Sequence, residues 1–199
     1  MARYLVCVTG ASGSIYGVRL MKVLAEAGHE VHAVASHWGA RVTEHETGRP
    51  FDSWMREIGI PRENVHAPDN LGASPASGTF RLDGVILAPC SMSSAGAIAS
   101  GAGTNLVHRA AQVALKEGWT LALVPRETPL SLISLRSLCA LAESGAIVIP
   151  ACPAFYHLPR DMDDMIDFVV AKILDRFSVP HDLGMRWEGM KREDALLRE

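Results

Sequence analysis

The feature that most constrains this chain is a set of five short apolar runs that do not alternate with polar residues. They are YLVCVT at residues 4–9, EVHAVAS at 30–36, DGVILAP at 83–89, TLALVP at 120–125 and AIVIP at 146–150. A strand with one wet face alternates, whereas a strand covered on both faces reads as a near-continuous apolar run. Helix-period stretches stand between them, at residues 16–27, 37–46, 93–100, 106–117, 130–144 and 163–177. Strand then helix, repeated, predicts an α/β three-layer sandwich around a doubly wound, mostly parallel sheet. Residues 48–80 scatter Pro, Gly, Asn and Ser and predict a loop-rich excursion over one edge. Residues 1–179 read as one domain, and residues 180–199 as a polar tail that carries Trp187.

Composition narrows the function classes. Hydrophobic residues are 48% of the 199 and charged residues 21%, enough to fill a core and leave a surplus for a subunit interface. Nineteen Lys and Arg against 22 Asp and Glu give a net charge of −3, so no basic field invites nucleic acid or anionic lipid. Any cationic site must be local. The cysteines, Cys7, Cys90, Cys139 and Cys152, form no CxxC pair. They read as buried small hydrophobes in a reducing compartment, and neither zinc nor a thioredoxin motif is implied. The apolar run at residues 4–9 is too short for a signal peptide, and no stretch approaches the ~20 residues of a membrane span. A cytoplasmic location is expected.

The first strand runs into Thr9-Gly10-Ala11-Ser12-Gly13-Ser14 and then a helix. Small residues let the backbone approach an anion, and a helix N-terminus favours negative charge. Gly10, Gly13 and Gly17 do not make GxGxxG, no Gly-Lys-Ser/Thr follows, and the second strand ends at Ser36 without a ribose-binding carboxylate. A mononucleotide such as FMN fits this pattern better than a dinucleotide; a turn that merely packs helix on strand is the alternative. Pro89-Cys90-Ser91-Met92-Ser93-Ser94 is a second small-residue junction of the same kind. Thr128 and Pro129 suit the N-cap and first position of a helix, which places Arg126 and Glu127 at the carboxyl end of a strand, where open α/β sheets bind ligands. Arg109 and Lys116 lie two turns apart on one helix face. Lys172 falls by helical angle within the apolar stripe of residues 163–177, where an ammonium either finds an anionic partner or snorkels at the stripe's edge. Glu127 and Glu46 are the acid–base candidates. The eight histidines offer no metal pair and no triad order.

Taken together, TGASGSIYGVRL, the Ser36-Ala40-Arg41-Glu46-Thr47 spacing, APCSM, NLVHRAAQVALKE, LVPRETPL, PAFYH and DDMIDFVVAKILD resemble the flavin prenyltransferase (UbiX/Pad-type) family over nearly the whole chain. The resemblance implies a flavodoxin-like or Rossmann-like fold, bound FMN, and transfer of a dimethylallyl group from dimethylallyl phosphate to N5 and then C6 of reduced FMN. It also implies a metal-independent dodecamer with sites between subunits, serving UbiD-type decarboxylases. By match of position, Gly10, Ala11, Ser12, Gly13, Ser36, Ser91, Met92, Ser93 and Arg109 contact FMN. Lys116, Arg126, Glu127, Tyr156 and Lys172 hold the prenyl phosphate, Ser12 and Glu46 lie near N5, and Trp187 covers the prenyl chain. The chain departs from the family pattern at Lys172 (commonly Arg), Ser93 (Lys), Ser134 (His) and Leu71 (Trp in some members), which leaves open whether the donor is a monophosphate or a diphosphate. The rival readings are a phosphopantothenoylcysteine decarboxylase-like flavoprotein, whose MN-containing lid is missing here, and a non-catalytic FMN-binding subunit.

Overall fold

The computed structural model describes residues 1–184 and Gly189. Six parallel strands form one sheet in the order β3-β2-β1-β4-β5-β6. They are β1 (Arg3–Val8), β2 (Glu30–Ala35), β3 (Val65–His66), β4 (Gly84–Cys90), β5 (Leu121–Pro125) and β6 (Ile147–Val148). Among the described residues seven helices cover its two faces: α1 (Ser14–Glu26), α2 (His37–Thr47), α3 (Phe51–Ile58), α4 (Met92–Ala99), α5 (Leu106–Glu117), α6 (Leu132–Glu143) and α7 (Met162–Arg176). This order is the doubly wound one, with its switch point between β1 and β4, and the loops beyond the strands' carboxyl ends there form the natural ligand crevice.

The unbroken apolar runs have the expected cause. Along β1, Tyr4, Val6 and Val8 enter the core under α1 and α7, while Leu5 and Cys7 enter the core under α5. Both faces of β4 and β5 are covered in the same way, and every residue of both strands is buried. Helix α1 lies close enough to the sheet that a Cβ on Gly17 would sit 2.2 Å from the Ala88 carbonyl oxygen. Only glycine permits that approach.

Three expectations are corrected. Residues 48–80 hold the two-turn helix α3 and edge strand β3, which the surrounding Pro, Gly, Asn and Ser obscured; α3 buries only Phe51 and Met55. The helix after β5 begins at Leu132, capped by the Ser131 hydroxyl, which accepts from the Ser134 amide at 3.1 Å. Thr128 instead donates to the Glu127 carbonyl, before a cis Thr128–Pro129 bond. Of the four free cysteines, Cys7 and Cys90 are buried as expected, but Cys139 and Cys152 are exposed. No helix among the described residues is long and apolar enough to cross a membrane.

Below the sheet's outer edge runs a chain of hydrogen bonds. Arg3 pairs with Glu30 at 2.9 Å, Glu30 meets His32 Nε2 at 2.9 Å, and His32 Nδ1 meets His66 Nε2 at 2.9 Å. Burial and then the neighbouring His32 push the His66 imidazole down to about 4. An unfolded His66 takes up its proton near pH 6.5, so between pH 6.5 and 4 the unfolded state binds more protons. Stability is therefore full above that window and falls as pH drops through it. We expect His66→Gln to flatten the profile of urea midpoint against pH between 6.5 and 5; an unchanged slope would assign that proton uptake elsewhere, His108 being the other histidine lowered by burial.

Candidate active site

The site is built where β1 and β4 end. Buried Thr9 ties the two ends together: its hydroxyl donates to the Pro89 carbonyl at 2.9 Å and accepts from the Ser91 amide at 2.7 Å. The Ser91 side chain then caps α4 by accepting from the Ser94 amide at 3.2 Å. Ser36 caps α2 by accepting from the Gly39 amide at 3.0 Å. The Gly10–Ser12 turn passes so close to α2 that a Cβ on Gly10 would lie 2.7 Å from Trp38 Cβ. Thr9 was legible only as the end of a strand, because a buried hydroxyl at that place carries no sequence signature.

Glu46, at the last turn of α2, reaches across to the start of α1. Its carboxylate accepts from the Gly13 amide at 3.0 Å, the Ser14 amide at 2.9 Å and the Ser14 hydroxyl at 2.7 Å. The anion at this helix N-terminus is thus the chain's own carboxylate. Burial works to raise the Glu46 carboxyl, but hydrogen bonds from the Ser12 and Ser14 hydroxyls and the two amides outweigh it and hold the group below the ordinary carboxylate range. Half-buried Arg126 closes the other side, with its amide on the Cys90 carbonyl at 3.4 Å and its Nε donating to the Ser12 carbonyl at 3.3 Å. Glu127 follows it, exposed. Ser12, Glu46 and Arg126, read from distant parts of the sequence, therefore meet.

The remaining expected residues form separate groups within one chain. Met92 and Ser93 open α4 beside the Thr9 tie, and Arg109 sits in the first turn of α5, where its Nε donates to the Ala76 carbonyl at 3.1 Å. Lys116 ends α5 at the opposite edge of the sheet, paired with Glu117. The five residues of β5 lie between that edge and Arg126, about 16 Å of strand. Lys172 is exposed on the flank of α7, with Nζ 5.7 Å from the Phe168 ring centroid, and Tyr156 meets the same ring edge-on at 6.0 Å. The expectation that Lys172 lies inside the apolar stripe is corrected: Ile166, Val169, Val170, Ile173 and Leu174 make the buried face, and Lys172 lies over the ring at its margin. Trp187 lies outside the described residues.

An apolar cavity of about 490 Å³ opens beside Ser12 and Glu46, walled by Ile15, Tyr16, Trp54, Met162, Met165 and Ile166. Of these, Trp54 escaped the sequence reading because α3 did. Among the described residues no group of three or more His, Cys, Asp or Glu could hold a metal ion. The donor set instead fits a flavin mononucleotide: capped helix starts at Ser36 and Ser91, a close-packed glycine turn and exposed hydroxyls at Ser12 and Ser93.

A model of the flavoprotein family matches residues 1–174. Flavin prenyltransferase UbiX of Thauera aromatica is 42% identical over 192 residues, 96% of this chain and 97% of the relative. The crystal structure of a dodecameric FMN-dependent UbiX-like decarboxylase from Escherichia coli O157:H7 superposes with a TM-score of 0.89 at 40% identity, covering 94% of this chain and all of that one. That of AnUbiX (PadA1), in complex with FMN and dimethylallyl pyrophosphate, gives a TM-score of 0.91 at 36% identity over 96% of this chain and 99% of the other. With the family model over residues 1–174 and a relative 42% identical over nearly the full length of both chains, the chain belongs to the UbiX-type flavin prenyltransferases of the flavoprotein family.

Proposed function

We propose that this protein transfers a dimethylallyl group from dimethylallyl phosphate to reduced FMN, supplying prenylated FMN to a UbiD-type decarboxylase. The observation that carries the reading is the meeting of Ser12, Glu46 and Arg126 at the switch point, in a chain of this family. Reduced FMN supplies the nucleophilic N5 and C6. Gly10, Ala11, Ser12, Gly13, Ser36, Ser91, Met92, Ser93 and Arg109 are the residues that would hold it.

The chain's own groups do the rest. As the allylic C–O bond breaks, its electron pair passes to the phosphate, and the growing negative charge is met by Arg126. Fixed cations of this kind act because they need no reorganisation as the charge develops. Glu46, kept ionised and pinned to Gly13 and Ser14, faces the carbon that becomes positive. Glu127, exposed next to Arg126, and the Ser12 hydroxyl are the groups that would accept and return a proton there.

Lys116, Tyr156 and Lys172 join this phosphate site from neighbouring copies. Support comes from their placement, since Lys116 lies at the far edge of its own sheet. It also comes from the apolar surface around them: α6 buries only Leu141 and exposes Leu132, Ile133 and Leu135, while Phe155, Leu158 and Met162 stand exposed near Tyr156. Exposed apolar area on this scale marks an interface. A homo-oligomer, of twelve copies by likeness to the Escherichia coli structure, follows, and a monomer mass in light scattering at micromolar concentration would refute it.

Mass analysis of the flavin released after FMN-loaded, reduced protein meets dimethylallyl phosphate tests the activity directly. A five-carbon adduct is expected; unmodified FMN would favour the non-catalytic carrier. Lys172→Met removes one charged contact to phosphate, about 1.5–3 kcal/mol of transition-state stabilisation, or roughly 10- to 150-fold in kcat/KM. FMN content should persist and Lys172→Arg should restore activity. Loss of FMN in Lys172→Met would move the residue to the flavin.

A further inference from the structure

We infer that His108 is a positioning residue for the flavin: through Ser94 it fixes the Ser91 hydroxyl, so that the start of α4 meets bound FMN with a hydrogen-bond acceptor. The inference rests on the FMN reading and adds a buried group that the proposed reaction does not use.

Burial singles out the pair. Among the buried polar side chains, Thr9 ties β1 to β4, Ser14 holds Glu46, His32 meets Glu30 and His66, and Thr43 donates to the Gly39 carbonyl at 2.8 Å. Ser94 and His108, only 6% and 8% exposed, have no such part in the fold. They meet each other, with His108 Nε2 3.3 Å from Ser94 Oγ.

The direction of that bond follows from the other ring nitrogen. The Thr104 amide donates to His108 Nδ1 at 3.4 Å, so Nδ1 carries a lone pair. Burial pushes the imidazole down and keeps it neutral, which leaves its one proton on Nε2. Nε2 therefore donates to Ser94 Oγ. The same oxygen accepts from the Ser91 hydroxyl at 3.2 Å, and the Ser94 amide returns a bond to Ser91 Oγ at 3.2 Å. With both lone pairs of Ser94 Oγ engaged, neither serine hydroxyl is at liberty to turn.

The consequence falls on half-buried Ser91. Its amide is engaged by Thr9 Oγ1 at 2.7 Å and its hydroxyl proton by Ser94. What remains for the crevice is one oxygen lone pair. A phosphate, which only accepts, gains nothing from it, whereas a ribityl hydroxyl or ring N–H of FMN does. Ser36 is the contrast. Its oxygen accepts from the Gly39 amide at 3.0 Å, and among the described residues nothing takes its hydroxyl proton, which suits an anion.

FMN dissociation constants and the ¹⁵N spectrum of His108 in the FMN-loaded protein test this. His108→Leu keeps an apolar side chain in place, removes the donor, and should weaken FMN binding roughly tenfold, the scale of one buried hydrogen bond. His108→Gln, whose amide can donate to Ser94, should restore most of that loss. Ser94→Ala should weaken binding as much as His108→Leu, and the double variant no more than either alone. The ³¹P resonance of bound FMN should hold its position throughout. In the unaltered protein His108 should carry its proton on Nε2, a measurement that stands even where a variant fails to fold. Unchanged affinity in His108→Leu, additive losses, or a proton on Nδ1 overturns the inference. So does a displaced ³¹P resonance, which would hand Ser91 to the phosphate. If the unaltered protein binds no FMN, the flavin reading itself fails.

Discussion

The site depends on one buried hydroxyl. Thr9 sits where β1 and β4, neighbours in space but separated by some eighty residues of chain, both end. By giving a hydrogen bond to Pro89 and taking one from Ser91, it makes the two strand-to-helix junctions a single rigid piece. Burial makes the tie strict. A hydroxyl with no access to water must be satisfied by protein, and an unmade bond there would cost about 1–3 kcal/mol. The start of α4 is therefore placed relative to the start of α1 by the core rather than by the loops that touch ligand.

Onto that piece the chain adds charge in a fixed order. The positive end of α1 is already satisfied by Glu46, so it does not draw the donor phosphate toward itself. Arg126 stands on the other side of the same turn and provides the cation. Negative charge, then positive charge, are separated by the width of one turn. In the proposed reaction that order would suit an allylic phosphate as its C–O bond lengthens, when carbon and oxygen develop opposite charges. A carboxylate held by two amides and two hydroxyls loses no orientation as a reaction proceeds, which is why a pinned acid is more effective than a free one.

How much of this the sequence disclosed follows from the length of each signal. Buried strands of five to seven residues and helices of three or more turns were plain, because both faces or one stripe must be apolar. The two-residue strands β3 and β6 lie below that threshold, and β6 surfaced through AIVIP; eight-residue α4 was read after its small-residue junction, while β3 and the equally short α3 were lost among the Pro, Gly, Asn and Ser of residues 48–80. Site residues on the loops after β1, β2, β4 and β5 could be named because small residues and a lone Arg-Glu pair at strand ends stand out. Trp54 and the tie through Thr9 could not be, since each depends on a contact made across the fold. Lys172 shows the limit of helical angles: a residue at a stripe's margin is buried or exposed according to what packs beside it, and here the side chain is exposed with its ammonium 5.7 Å over the Phe168 ring.

The distribution of the other cations carries a further consequence. A single chain keeps Arg126 at the carboxyl edge, Lys116 at the amino edge and Lys172 on the α7 flank, each with its own neighbours. Gathering all three in one monomer would crowd like charges at an edge where Glu46 is already taken by the start of α1. Spread over separate surfaces they repel little, and Lys116 is neutralised locally by Glu117. Brought together by neighbouring copies, they would form a strongly positive pocket only where apolar contacts such as those of Leu132 and Ile133 supply the binding energy to offset the repulsion. An anionic donor would then stabilise the assembly as well as occupy it, because its phosphate binds the associated state and not the separated chains. Under the proposed function, assembly and donor binding would be linked by the same charges.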